Sequence, residues 1–345
     1  MRPRGRCVAG ARGLIHGLPD TMKIGITCYP TYGGSGAVAT ELGLGLAARG
    51  HEVHFISYAQ PFRLSGFHER VYFHEVELER YPLFETSHYT LALAAAIHDT
   101  AASEGLDIVH VHYAIPHATS AWIAGEMLDD APPLVTTLHG TDVTLVGLHP
   151  SFKAITRFSI LRSQRITAVS RFLKEVTVRD FEIPGERIEV IPNFVDTGLF
   201  RPREEVAHRR IFAPAGEKIL MHVSNFRPVK RVPELIAVFA GIRKRVAARL
   251  VLVGDGPDRP RAAARARELG VHGDVVFLGK HASVEELLPC ADLFLMPSDS
   301  ESFGLAALEA LSCGVPVVGY RAGGLPEVVT HGENGLLVPV GAVEE

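Results

Sequence analysis

The chain has 345 residues, 35 basic and 39 acidic side chains, a formal charge of −4 and 47% hydrophobic residues. That length accommodates two ordinary α/β domains, and the charge excludes a global basic field for nucleic acid or a membrane surface. Any bound anion is expected in a local pocket, and since no apolar run is long enough to span a bilayer, a cytoplasmic protein without membrane insertion is expected.

Residues 1–21 are basic and Gly-rich, with an apolar stretch too short and broken for a signal peptide. They read as a disordered extension or a misassigned start, because Met22 opens a clean strand. The cysteines, Cys7, Cys28, Cys290 and Cys313, form no CxxC pair, and two sit in apolar segments, as reduced thiols do.

In chain order, a buried strand is expected over 23–29, then a turn over 30–36 and an amphipathic helix through residue 49. Further strand-length apolar runs follow at 51–57, 107–112, 133–138, 166–169 and 188–191, mostly with helical stretches between them. Such alternation predicts a parallel sheet covered on both faces. It weakens over 196–216, which reads as a linker with a short helix. It restarts at 218–224 and continues at 249–253, 275–278, 293–296 and 315–318. The fold class expected is therefore α/β with two Rossmann-like domains, over 22–200 and 201–345, their sites lying in loops after the strands.

Three loops carry unusual residues. The first, 30–36, runs Pro-Thr-Tyr-Gly-Gly-Ser-Gly into a helix, where bare backbone and helix-start N–H groups can meet an anion. A tight turn needing glycine for geometry alone explains it equally well. The spacing is not GxGxxG and no acid ends the second strand, which disfavours a nicotinamide dinucleotide. The second loop places Arg227, Lys230 and Arg231 just past a strand end, where cations can neutralise a diphosphate. The third, 298–309, sets Glu301 in a loop and Glu309 two turns into an apolar helix, with Phe303, Gly304 and Leu305 at the helix start. A carboxylate accepts hydrogen bonds from vicinal sugar hydroxyls, and an idle glutamate on so apolar a helix would be costly.

His110, His112, His117 and His139 fall close in sequence, but no cysteine or paired acid stands at ligand spacing beside them. Asp299-Ser300-Glu301 is only a loose echo of a DxD metal motif. No metal is expected.

With these residues in place, the chain resembles the retaining glycosyltransferases of the GT-B fold, group 1 or family 4, from Met22 onward. Glu301 and Glu309 match that family's E-x7-E motif, Arg227 and Lys230 its basic pair, and residues 251–257 and 277–279 are further landmarks. Stretches 25–36, 61–64, 110–118, 136–142 and 222–231 resemble the branch that opens bacillithiol biosynthesis. The resemblance implies transfer of N-acetylglucosamine from UDP-N-acetylglucosamine to the hydroxyl of L-malate, with α configuration retained and no metal or other cofactor. It implies that Arg227 and Lys230, with backbone at Gly304 and Leu305, hold the diphosphate. Glu309 would hold the ribose and Glu301 the donor sugar, with Gly34 and Phe303 also lining the donor site. His139 would contact the sugar near the reacting centre. For malate the expected set is Ser35, Tyr113, Thr141, Arg157 and Asn193, with Arg63 a weaker candidate. A homodimer is a reasonable expectation from the family. Family members continue past residue 345, so C-terminal helices completing the second domain are expected to be missing. A related hexosyltransferase with another donor or acceptor, or an inactive sugar-nucleotide binder, stands as the alternative.

Overall fold

The computed structural model describes residues 21–78, 88–203 and 208–344. The extension expected over 1–21 lies outside them but for its last residue, as does Cys7.

The first sheet contains β1 (Lys23–Thr27), β2 (Glu52–Ser57), β3 (Val71–Glu75), β4 (Ile108–His112), β5 (Leu134–Leu138), β6 (Arg165–Ala168) and β7 (Ile188–Val190). Every pairing is parallel, in the order β3-β2-β1-β4-β5-β6-β7. Helices α1 (Gly34–Ala47), α2 (Tyr89–Glu104), α3 (Thr119–Glu126), α4 (Pro150–Arg162) and α5 (Arg171–Phe181) connect its strands. The second sheet contains β8 (Lys218–Val223), β9 (Ala248–Val253), β10 (Val275–Gly279), β11 (Leu293–Met296), β12 (Val317–Tyr320) and β13 (Gly335–Val338). It is likewise parallel, in the order β10-β9-β8-β11-β12-β13. Its helices are α6 (Arg209–Phe212), α7 (Val232–Arg243), α8 (Arg259–Glu268), α9 (Val284–Leu287) and α10 (Leu305–Ser312).

Strand periodicity divides the cores. In β8, Ile219, Met221 and Val223 enter one apolar cluster while Leu220 enters the cluster on the opposite face. β3 and β13 were not anticipated. Both are short edge strands: β3 presents Tyr72 and Phe73 to solvent, and β13 is a four-residue run between Asn334 and Pro339, too brief to stand out as a strand. Cys28, Cys290 and Cys313 are buried free thiols.

Strand order reverses between β1 and β4 in one sheet and between β8 and β11 in the other. At such switch points adjacent loops part and leave a crevice at the carboxyl ends of the strands. The two crevices face each other, because the loops after β5 and β11 touch. A Cβ at Gly140 would lie 1.7 Å from Ser302 Oγ, and Gly140 has φ +123°, so only glycine fits there. Apolar packing also crosses: Phe303, Leu305 and Leu308 join the cluster containing Leu138, Leu173 and Phe181.

Candidate active site

Two adjoining cavities, of about 160 and 780 Å3, occupy the space between the crevices. Gly34, Lys230, Glu301 and Leu305 line both. Glu309 lines the smaller one, and Ser35, Tyr113, His139, Thr141, Asn193, Arg227, Phe303 and Gly304 line the larger. Every expected site residue except Arg157 therefore meets at one cleft. Arg157 Nε instead donates to the Phe181 carbonyl at 2.9 Å, and the residue lines neither cavity. Position on a helix that follows a cleft loop does not reveal which way a side chain turns.

The loop after β8 supplies the cations. Lys230 Nζ sits 2.5 Å from Glu301 Oε1, an ion pair largely shielded from solvent. Arg231 is diverted: it bonds Asp299 at 2.6 Å and also Glu234, which takes the Tyr320 hydroxyl. Arg227 is exposed, and no ion pair neutralises it among the described residues. Of the three cations, Arg227 alone carries an uncompensated charge into the larger cavity.

The loop after β11 is pinned from behind. Gly324 N donates to Glu301 O at 2.7 Å, and a Cβ at Gly323 would fall 2.0 Å from that same oxygen. Gly304, at φ +100°, then turns the chain into α10. The first-turn N–H groups of that helix have no intrahelical acceptor and carry partial positive charge toward the cavity.

Glu309 is 4% exposed and faces the smaller cavity from α10. Burial raises its pKa, against the opposing pull of Arg63. Arg63 Nη2 reaches across from the loop after β2 and bonds Glu309 Oε1 at 2.9 Å, with Glu41 3.6 Å away. Its guanidinium also lies over the rings of Phe62 and Phe200. Two polar atoms in this cavity, Asn225 Oδ1 and Ser298 Oγ, are buried without a partner. Unpaired buried polar atoms are costly, so the smaller cavity is built for a polar occupant.

On the first-domain side a stack of histidines underlies the cleft. The rings of His110 and His112 lie 4.6 Å apart and those of His112 and His139 5.0 Å apart. Burial holds His110 and His117 down to about 4 and His139 to about 3, and pushes His112 well below its ordinary value. They are neutral imidazoles, each with one N–H. His112 Nδ1 lies 2.7 Å from His139 Nε2, whereas His112 Nε2 is buried and unpartnered. A buried N–H without an acceptor costs more than a bare lone pair. The His112 proton therefore sits on Nδ1 and is donated to His139 Nε2. That fixes the His139 proton on Nδ1, the nitrogen left for the cleft.

Asp142 went unremarked in the sequence, although it belongs to the stretch 136–142. It is buried beside His139 and accepts the N–H groups of Ala114 at 2.9 Å, Gly140 at 2.9 Å and His139 at 3.3 Å. Burial pushes its carboxyl up to about 6 even so. One carboxylate thus fastens the loops after β4 and β5 together. Tyr113, at φ +97°, directs its hydroxyl toward Ser35 and Thr141. No lysine or arginine of the first sheet's domain lines the larger cavity among the described residues. Its anion-binding groups there are these hydroxyls and the start of α1, which has no side-chain cap.

The model of the family "Glycosyl transferases group 1" matches residues 204–345, and that of "Glycosyltransferase Family 4" matches residues 32–199. The chain is 47% identical over 321 residues to N-acetyl-alpha-D-glucosaminyl L-malate synthase of Bacillus anthracis, covering 93% of this chain and 84% of that protein. It is 33% identical to a D-inositol 3-phosphate glycosyltransferase of Thermobispora bispora, covering 67% of this chain and 58% of that one. Among solved structures, Anabaena HepE in complex with UDP and glucose superposes with a TM-score of 0.76 at 23% identity, covering 94% and 87% of the two chains. WaaG, a glycosyltransferase of lipopolysaccharide biosynthesis, superposes with a TM-score of 0.72 at 19% identity, covering 93% and 87%.

Proposed function

The chain belongs to the group 1 glycosyltransferases with the GT-B fold, and from that premise we propose that it transfers N-acetylglucosamine from UDP-N-acetylglucosamine to the hydroxyl of L-malate, with retention. The donor half rests on one observation above the rest: Glu309, Glu301, Lys230 and the unpartnered Asn225 and Ser298 atoms line one cavity. The acceptor half rests on similarity to the malate synthase, which runs through both domains.

In this reading the uridine ribose hydroxyls donate to Glu309, whose Oε2 stays free while Oε1 holds Arg63. The diphosphate lies against Arg227 and Lys230 and the start of α10. Its arrival draws Lys230 away from Glu301 and releases that carboxylate for the sugar hydroxyls. Malate places its carboxylates at the start of α1 and on the hydroxyls of Ser35, Tyr113 and Thr141, with Asn193 as a neutral donor. Arg157, held elsewhere, takes no part.

The malate oxygen attacks C1 on the face that UDP leaves. The C1–O bond to the phosphate breaks, and the malate hydroxyl proton passes to the departing phosphate oxygen. The protein positions the partners and stabilises charge, without a covalent intermediate. His139 contributes its Nδ1–H as a neutral donor beside the sugar, a role its buried, proton-poor ring suits better than general base catalysis. No metal is required in this scheme, because Arg227, Lys230 and the helix dipole stand where a cation would.

Proton NMR of the isolated product tests the reading. An α-linked N-acetylglucosaminyl malate supports it; a β-linked product, or only free N-acetylglucosamine, overturns it.

A further inference from the structure

We propose that His54, His74 and Glu104 form a binding site for a divalent transition-metal ion of the zinc class, on the outer edge of the first sheet. Their ligand atoms all lie within 4.8 Å of one another. None of the three lines either cleft cavity.

The fold brings them together from three elements. His54 shares a face of β2 with Ile56, and His74 of β3 points the same way as Val76, the residue that follows that strand. Ile56 and Val76 both pack in the cluster that includes Leu93, Ile97 and Ala101 of α2, so both histidines turn toward that helix. Glu104 is the last residue of α2, which Gly105 ends in a left-handed cap. Register offsets the histidines by two positions along the ladder, His54 opposite Tyr72 and Ile56 opposite His74.

The second observation is the state of His54. Its Nε2 lies 3.1 Å from Glu52 Oε1, and an ionised carboxylate only accepts, so that nitrogen carries the proton. In the neutral ring that leaves Nδ1 as the ligating nitrogen, and it faces His74 Nε2, 2.9 Å away. A carboxylate that orients a histidine from behind is the usual support of a metal-ligating imidazole. Tyr72 stacked on the ring at 4.9 Å fixes the plane.

Glu104 fits the same reading. A carboxylate in the last turn of a helix opposes the dipole, and this one makes no hydrogen bond or ion pair among the described residues. An ion between it and the histidines would satisfy both the carboxylate and the helix end. Lys23 is the nearest competing cation; its ammonium is already held 2.9 Å from the Glu104 carbonyl and 3.3 Å from Glu52.

Zn–N bonds of about 2.0–2.1 Å in a tetrahedron put two imidazole nitrogens about 3.3 Å apart, so the rings need separate only slightly. To ligate through Nε2, His74 carries its proton on Nδ1. Three protein ligands leave a fourth position for water.

The test is calorimetric titration of ZnCl2 into chelator-stripped, untagged protein, repeated for H74A, E104A and E52Q, with cobalt absorption as a reporter of geometry. The expected result is one saturable equivalent, weakened at least tenfold by H74A and by E104A and about tenfold by E52Q, with a tetrahedral cobalt spectrum. UDP affinity should be the same in all four proteins, so the outcome does not depend on the donor reading. Absence of saturable binding overturns the proposal. So does binding that H74A and E104A leave unchanged, which would assign the ion to other histidines.

Discussion

At the scale of single residues, the site is a set of charges already spoken for. Lys230 and Glu301 neutralise each other, and Arg63 occupies Glu309. Donor binding must exchange these pairs for contacts with phosphate and hydroxyls. K230A leaves Glu301 unpaired and removes a phosphate contact made in the transition state, so kcat/KM should fall about 10²–10³-fold. E309A should weaken UDP itself, measured by calorimetry without acceptor. Arg157 behaves differently: R157A loses a hydrogen bond to Phe181 O and should cost about 0.5–1.5 kcal/mol of stability with the malate KM unchanged. A raised malate KM with intact folding would bring Arg157 back to the acceptor.

The buried histidines make a pH prediction. Burial holds His110, His117 and His222 near 4 and His139 near 3, and pushes His112 well below the ordinary 6.5. The unfolded chain therefore takes up protons first as pH falls. Their contribution is complete above about 6.5 and is lost as pH falls toward 4. Asp142, raised from 3.8 to about 6, acts oppositely, its contribution fading as pH rises through 6. Five groups oppose one, so urea midpoints should drop steeply between pH 6.5 and 4. A flat profile would mean that these imidazoles are not neutral in the fold.

At the scale of elements, the sequence was legible wherever an apolar run met an unusual loop. The central strands and the loops 224–231 and 298–304 stand where periodicity put them, while the turn expected over 30–36 ends earlier, since α1 begins at Gly34. Edge strands β3 and β13 were not legible, since β3 is polar and half-exposed at its end and β13 is only four residues long and stopped by Pro339. Pairing was not legible either: that Arg63 reaches Glu309 across 246 positions leaves no local trace, so Arg63 ranked below Arg157 when only Arg63 lies at the cleft. Asp142 hid because its work is on backbone N–H groups, which no side-chain motif announces. Gly140 is the element-scale test. G140A would force a Cβ onto Ser302 at φ +123°, so it should abolish transfer while each sheet retains its far-ultraviolet signature.

At the scale of the whole molecule, the two sheets are docked by polar contacts as well as apolar ones. Glu327 offers its carboxylate to the N–H groups of Arg171 and Phe172, both at 2.9 Å, and so caps α5 from the other domain. Ser170 donates to Ser302 O at 2.5 Å beside it. A carboxylate at a helix start is worth about 0.5–2 kcal/mol. E327A should loosen the docking by about that amount, visible as a raised KM for donor and acceptor together with little change in the midpoint of either core.

The most direct test of the account is UDP release from UDP-N-acetylglucosamine, with and without L-malate, in the presence of EDTA. Release should depend on malate, persist with the chelator and be abolished by K230A and E309A. UDP release that malate does not stimulate, or that EDTA stops, would contradict it.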